Sequence, residues 1–205
     1  MPSIYSLKPR FQAILRPLAR ALASAGVRAN HVTLLACALS IVTGVLVCAH
    51  IENRRWLLVL PVFLFVRMAM NALDGMLARE FGQKSDLGAY LNELTDVISD
   101  AFLYLPFAYL AEFSALWIGA VIWLAALSEM TGAVAVMTGA SRRYDGPMGK
   151  SDRAFAFGAL ALILGLVNVA LPGVGWVVPK LTALALAATV VNRVRSGLAE
   201  KRGIT

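Results

Sequence analysis

Charge is scarce in this 205-residue sequence. Asp, Glu, Lys and Arg make up 15% of it, against 59% apolar types, whereas a soluble domain carries about a quarter. Disorder is excluded, because a disordered chain needs high charge and low hydrophobicity. An ordinary soluble domain is disfavoured too, with mean hydropathy at +0.71. Cysteine is scarcer still. Cys37 and Cys48 fall in one expected helix, ~16 Å apart by the helical rise and too far for a disulfide. His31 and His50 bracket the first apolar run as interfacial residues, so neither a Cys/His metal site nor a disulfide framework is suggested. A secretory signal is also missing, since no continuous apolar core follows the first basic residues.

Long apolar runs are what is present. Six lie near 31–50, 56–79, 86–110, 114–139, 153–171 and 175–196. Six spans of ~20 residues consume ~120, leaving short loops and no sizeable soluble domain. Ahead of them, Phe11, Leu15, Leu18 and Leu22 recur at helical spacing, with Lys8, Arg10, Arg16 and Arg20 at other positions. That pattern predicts an amphipathic helix over 5–25 lying on the membrane surface. The expected fold is a single domain over 1–205, an all-α integral membrane protein with six transmembrane helices preceded by an N-terminal amphipathic interfacial helix.

The net charge is +7. Fifteen of the 19 bases sit at the N-terminus, the second loop, the fourth loop and the C-terminal end. Positive residues mark the cytoplasmic side, which places both termini in the cytoplasm of an inner-membrane protein. The bases lie at span ends rather than in one stripe, so nucleic acid is not the expected partner.

Five acids fall within or near the spans: Asp74, Glu93, Asp96, Asp100 and Glu129. An ionised acid in hydrocarbon is costly unless paired, hydrated or metal-bound. The bland account is pairing with Arg67 or Lys180, and for Glu129 it is favoured. The acids of spans two and three carry a stronger pattern. Asn71, Asp74, Gly75 and Ala78 share one helical face, and Gly88, Asn92, Asp96 and Asp100 share another. Counted from Gln83, Asp74 and Asn92 are each 9 residues away, and Asn71 and Asp96 are 12 and 13. Two antiparallel helices would bring these oxygens face to face, where they suit a hard cation such as Mg²⁺ or Mn²⁺. Gly75, Ala78 and Gly88 are small enough for close approach of a ligand or a backbone.

The segment Asn71-x2-Asp74-Gly75-x2-Ala78-Arg79-x8-Gly88-x3-Asn92-x3-Asp96 resembles the signature of the CDP-alcohol phosphatidyltransferases. That signature has Asp where this chain has Asn71 and Asn92. The run Ala29-Asn30-His31-Val32-Thr33 is similar to the Pro-Asn-x-x-Thr entry to the family's first span, with Ala in place of Pro. The resemblance implies that an alcohol attacks the β-phosphorus of a CDP-lipid, usually CDP-diacylglycerol, and that CMP leaves. It implies metal ligands at Asn71, Asp74, Asn92 and Asp96, the last also the base for the incoming hydroxyl. It places Gly75, Ala78, Arg79 and Gly88 at the nucleotide, and the family often dimerises through its spans.

The two Asn residues offer neutral oxygens, so the four positions carry −2 rather than −4. This favours either one tightly held ion or a two-ion site completed only with the CDP-lipid. Glu93 and Asp100 are the candidates to restore a carboxylate. For the acceptor, Arg142, Lys150, Arg153 and Arg193 are expected to hold an anionic alcohol, a phosphorylated polyol, partly because Gly149-Lys150-Ser151-Asp152-Arg153 vaguely resembles a Gly-Lys-x-x-Thr region of family members with such acceptors. Two other readings compete. One is an inactive lipid- or nucleotide-binding relative. The other is an ion-coupled transporter, although no inverted repeat is evident.

Overall fold

The structure, a computed structural model, describes residues 7–203, with side chains from Phe11 onward. It is all-α. Seven helices run in order: α1 (Leu7–Ser24), α2 (Ala29–Ala49), α3 (Val59–Glu80), α4 (Asp86–Tyr104), α5 (Ala115–Met137), α6 (Lys150–Val167) and α7 (Pro172–Lys201). Short 3₁₀ segments precede α3 (Arg54–Leu58) and follow α4 (Leu105–Tyr109).

Four helical stretches are long and apolar enough to cross a membrane: Ala29–Ala49, Arg54–Glu80, Ala115–Met137 and Pro172–Lys201. Their outward faces carry exposed Leu34, Val42, Leu46, Val62, Phe65 and Leu184. So many large apolar side chains facing out fit lipid rather than water. The other two expected spans, α4 and α6, hold more charge. Four acids lie along α4, and Lys150, Asp152 and Arg153 fall in the first turn of α6.

Local chemistry sets the helix ends. The N–H of buried Ala29 donates to Gln83 Oε1 at 2.7 Å, and Gln83 Nε2 donates to the Val27 carbonyl at 3.3 Å. Gln83 thus supplies an acceptor that the start of α2 lacks and ties it to the α3–α4 loop. Ser85 caps α4 by accepting from Gly88 N at 3.0 Å, and Asp86 in the first turn suits the helix dipole. Asp152 accepts from Gly149 N at 2.9 Å at the start of α6. Asn168 ends that helix in the left-handed region at φ 53°.

Helix α2 is the hub, packing on both α3 and α4, while α5 packs on α7. At Gly44 a Cβ would stand 2.2 Å from the Phe102 carbonyl, so only glycine permits this approach of α2 to α4. The main core joins Leu57, Leu60, Tyr104, Phe107, Ile118, Phe157 and Leu164. A smaller core seats α1 through Leu15, Ala19 and Leu22 against Val32, Leu73, Met76 and Leu77. The expected stripe is therefore corrected: Leu18 faces outward, and Ala19 is fully buried in the core that α1 shares with Leu73, Met76 and Leu77 of α3. Arg16 anchors the same helix with paired contacts to Glu80 at 3.0 and 3.1 Å. Residues 5 and 6 of the expected helix, and the side chains of Lys8 and Arg10, lie outside the described residues.

Candidate active site

The α3 and α4 faces carry the motif, and α2 separates their backbones more than the sequence register suggested. The two helices each lean on α2 instead of sharing a packed seam. Asp74 is buried on α3, Asn71 is half-buried, and Asn92 on α4 is exposed. Level is nonetheless as counted. Arg67 and Asp100, 16 and 17 residues from Gln83, meet at 2.6 Å across the two helices.

Thr33 of α2 donates from Oγ1 to Asp74 Oδ2 at 2.9 Å. Asp96 Oδ1 meets Lys150 Nζ at 2.5 Å and Arg67 Nη2 at 3.3 Å. The glycines of the motif make room for polar atoms. A Cβ at Gly75 would meet Arg79 Nη2 at 2.7 Å, and one at Gly88 would meet Asn30 Oδ1 at 2.9 Å. Ala78 is half-buried beside the α1 core, and Arg79 is exposed. Next to Gly88 an open cavity of about 480 Å³ is lined by Gly26, Arg28, Asn30, Gln83, Lys84 and Ser85.

Behind Asp96 lies a continuous ion-pair network. Asp100 Oδ2 accepts from Arg153 Nε at 3.2 Å and Nη2 at 2.8 Å. Glu129 of α5 lies 3.1 Å from Arg153, 3.3 Å from Arg142 and 3.5 Å from Arg193. Arg142 also reaches Glu93 at 2.6 Å and lies over the Tyr144 ring at 4.7 Å. Arg193 donates to the Ser128 carbonyl and, at 3.3 Å, to the Asp145 carbonyl. Five bases and four acids are joined in this way.

Several expectations change here. Glu129 pairs with three arginines of the fourth loop, α6 and α7, not with Arg67 or Lys180. Lys180 instead stands over the Trp176 ring at 3.4 Å. Asp100 is not left to restore a missing carboxylate, because Arg67 and Arg153 hold both of its oxygens, whereas Arg142 engages Glu93 through Oε2. Arg153 and Arg193 are each 1% exposed and turned into the network, so they do not line an open face. Arg142 and Lys150 are half-buried and remain nearer its rim. The sequence reading missed the bond from Thr33 to Asp74, although Asn30-x-x-Thr33 was the signal that could have found it. It also missed Gln83 as a clamp.

The fourth loop has a second tether besides this network. Arg143 contacts Asp145 at 2.7 Å and Glu200 of α7 at 2.5 Å. The hydrogen bonds from Arg143 hold the Asp145 carboxyl below the ordinary carboxylate range.

In donor type, the motif residues fit a hard divalent cation. All four offer oxygens, and the partners of Asp74 and Asp96 within the motif region engage one carboxylate oxygen of each. Their low charge suits one ion better than two. Among the described residues no group of three or more His, Cys, Asp and Glu forms a metal cluster, so the amides of Asn71 and Asn92 would have to complete the donor set.

Comparison with known proteins shows the family and the fold. Residues 27–191 match the family model described as CDP-alcohol phosphatidyltransferase. The chain is 43% identical over 198 residues to Inner membrane protein YnbA of Escherichia coli (strain K12), covering 96% of each. Its fold is similar to that of Mycobacterium tuberculosis phosphatidylinositol phosphate synthase (PgsA1) with CDP-DAG bound. The TM-score is 0.75 at 22% identity, over 90% of this chain and 94% of that one. The same synthase in complex with manganese and citrate gives a TM-score of 0.73 at 22% identity, covering 89% and 88%. The chain belongs to the CDP-alcohol phosphatidyltransferase family.

Proposed function

We propose that this protein transfers a phosphatidyl group from CDP-diacylglycerol, or a similar CDP-lipid, to a small alcohol and releases CMP. What supports the reading is the positioning of the two motif acids and the space beside the motif glycine. Asp74 is held by Thr33, Asp96 is held by Lys150 and Arg67, and Gly88 lies against Asn30 and Ser85, which line the cavity under the α3–α4 loop.

In this reading the CDP group enters that cavity, with Gly75, Ala78, Arg79 and Gly88 next to the nucleotide and pyrophosphate. Asn71, Asp74, Asn92 and Asp96 would hold one divalent ion, Mg²⁺ or Mn²⁺, or two once the substrate pyrophosphate adds its own charge. Such an ion, when bound, would supply positive charge against the pyrophosphate and the departing CMP. Lys150 and Arg67 hold Asp96 through one oxygen, leaving the other to take the hydroxyl proton. The acceptor oxygen bonds to the lipid phosphorus, the bond from that phosphorus to the CMP oxygen breaks, and CMP keeps the electron pair.

The position in the membrane follows the same reading. Helices α2–α7 form six spans of an inner-membrane protein, with both termini cytoplasmic and α1 at the interface. The charges that lower the apolarity of α4 and α6 serve the site and its network.

The test is CMP release by purified protein given CDP-diacylglycerol, Mg²⁺ or Mn²⁺ and a panel of alcohols. Release that Asp96→Asn abolishes supports the proposal. Binding of the CDP-lipid without release in any arm would instead identify an inactive relative.

A further inference from the structure

The phosphorylated acceptor expected from Arg142, Lys150, Arg153 and Arg193 depends on those cations being available. Their geometry shows how little remains. Arg153 spends Nε on Asp100, Nη1 on Ser128 Oγ and the Met148 carbonyl, and Nη2 on both Asp100 and Glu129. Arg193 spends Nε on the Asp145 carbonyl and Nη1 on the Ser128 carbonyl, and its Nη1 faces Glu129 at 3.5 Å. The Nη2 of Arg142 is shared by Glu93 and Glu129, and its Nε is buried out of reach. Lys150 is bound to Asp96.

Glu129 is therefore the centre of a cradle of three guanidiniums, fed from the fourth loop, α6 and α7. Such a cradle suits a phosphate. Here a carboxylate of the chain itself fills it. A phosphate brought to the same cations would meet Glu129 at close range as a like charge, with Glu93 and Asp96 nearby. A neutral hydroxyl compound meets no such repulsion, and the carboxylates at the rim can accept hydrogen bonds from its hydroxyls.

We propose that Glu129 is a built-in anion in place of an acceptor phosphate, and that the acceptor is an uncharged polyol. The inference rests on the phosphatidyl-transfer reading and names its substrate class. The step is the one given above, with the polyol hydroxyl losing its proton to Asp96 as the new oxygen–phosphorus bond forms and CMP leaves.

The test pairs each polyol with its phosphate ester: glycerol with glycerol 3-phosphate, and myo-inositol with its 1-phosphate. CMP release from CDP-diacylglycerol is measured with the full chain in detergent and Mn²⁺. Calorimetry with inorganic phosphate and glycerol 3-phosphate is run on the wild type and Glu129→Gln without CDP-lipid. The expected result is turnover of a neutral member at least about ten-fold faster than its ester, a gap of ~1.4 kcal/mol. The wild type should not bind phosphate, whereas Glu129→Gln should gain binding. Faster turnover of the esters, or phosphate binding by the wild type, would overturn the proposal. If no alcohol releases CMP, the transfer reading fails, and with it the assignment of an acceptor. The calorimetry then decides the cradle separately: phosphate binding gained by Glu129→Gln shows that Glu129 is its anion, and no gain overturns that too. Should Glu129→Gln not fold, the wild-type binding and acceptor ratios decide alone.

Discussion

Asp100 separates a structural charge from a catalytic one, and its replacement by Asn is the most informative change. Its Oδ1 accepts from Arg67 at 2.6 Å and its Oδ2 from Arg153 at 2.8 and 3.2 Å. The three side chains are 5%, 3% and 1% exposed. Asn keeps one acceptor oxygen and turns an NH₂ toward one guanidinium. Two buried arginines then share less negative charge, and one faces a donor instead of an acceptor. Breaking a buried pair from one side costs about 3–5 kcal/mol. On the scale for soluble domains of this size, that would lower Tm by roughly 6–20 °C. Thermal unfolding in detergent, followed by tryptophan fluorescence, measures the loss. CMP release below the new Tm should survive in part, since Asp100 is engaged away from the motif oxygens. Stability within about 0.5 kcal/mol of wild type, together with lost transfer at every temperature and a changed Mn²⁺ requirement, would refute this account and place Asp100 at the metal.

Other changes test other links. Thr33→Val removes the hydrogen bond to Asp74, a contact to a charged group worth about 1.5–3 kcal/mol, and should raise the Mn²⁺ concentration needed for half-maximal CMP release. Lys150→Met frees Asp96 from its closest cation and should lower kcat more than it raises KM for CDP-diacylglycerol, with Lys150→Arg recovering part of the loss. Gly44→Ala puts a methyl 2.2 Å from the Phe102 carbonyl and should cost about 1–3 kcal/mol as overpacking, read as a lower Tm. Hydrogen bonds from Arg54 hold the Glu112 carboxyl below its ordinary range. A lowered folded-state pKa gives stability that is present above the unfolded value and lost as pH falls through the folded one. Glu112→Gln should therefore flatten the acid limb of Tm against pH.

The helices were legible because apolar runs of span length leave few alternatives, and the expected limits differ from the observed ones by a few residues at most ends. The register of α3 on α4 was legible too, since a short loop fixes antiparallel level, as Arg67 and Asp100 show. The surface helix was legible in kind but not in its buried edge. Side-chain size favoured Leu18, whereas the face of α1 that packs on α3 carries Ala19. Ion-pair partners were not legible. Glu129 draws its three arginines from segments 13, 24 and 64 residues away, and nothing in local spacing sets such contacts.

That network also changes the meaning of the basic excess. Arg153 and Arg193 were counted at the cytoplasmic rim, yet both are buried against acids. The network holds five bases (Arg67, Arg142, Lys150, Arg153 and Arg193) and four acids (Glu93, Asp96, Asp100 and Glu129). The whole chain has 19 bases and 12 acids, so 14 and 8 remain outside it and carry +6 of the net +7. The excess therefore belongs mainly to the chain ends and loops, where membrane topology accounts for it. The interior contributes close to zero. A site built to capture a phosphorylated acceptor would keep bases in surplus near the reacting groups. Here the acids of α4 and α5 nearly balance them, and Asp96, the group assigned to take the hydroxyl proton, is itself part of that balance.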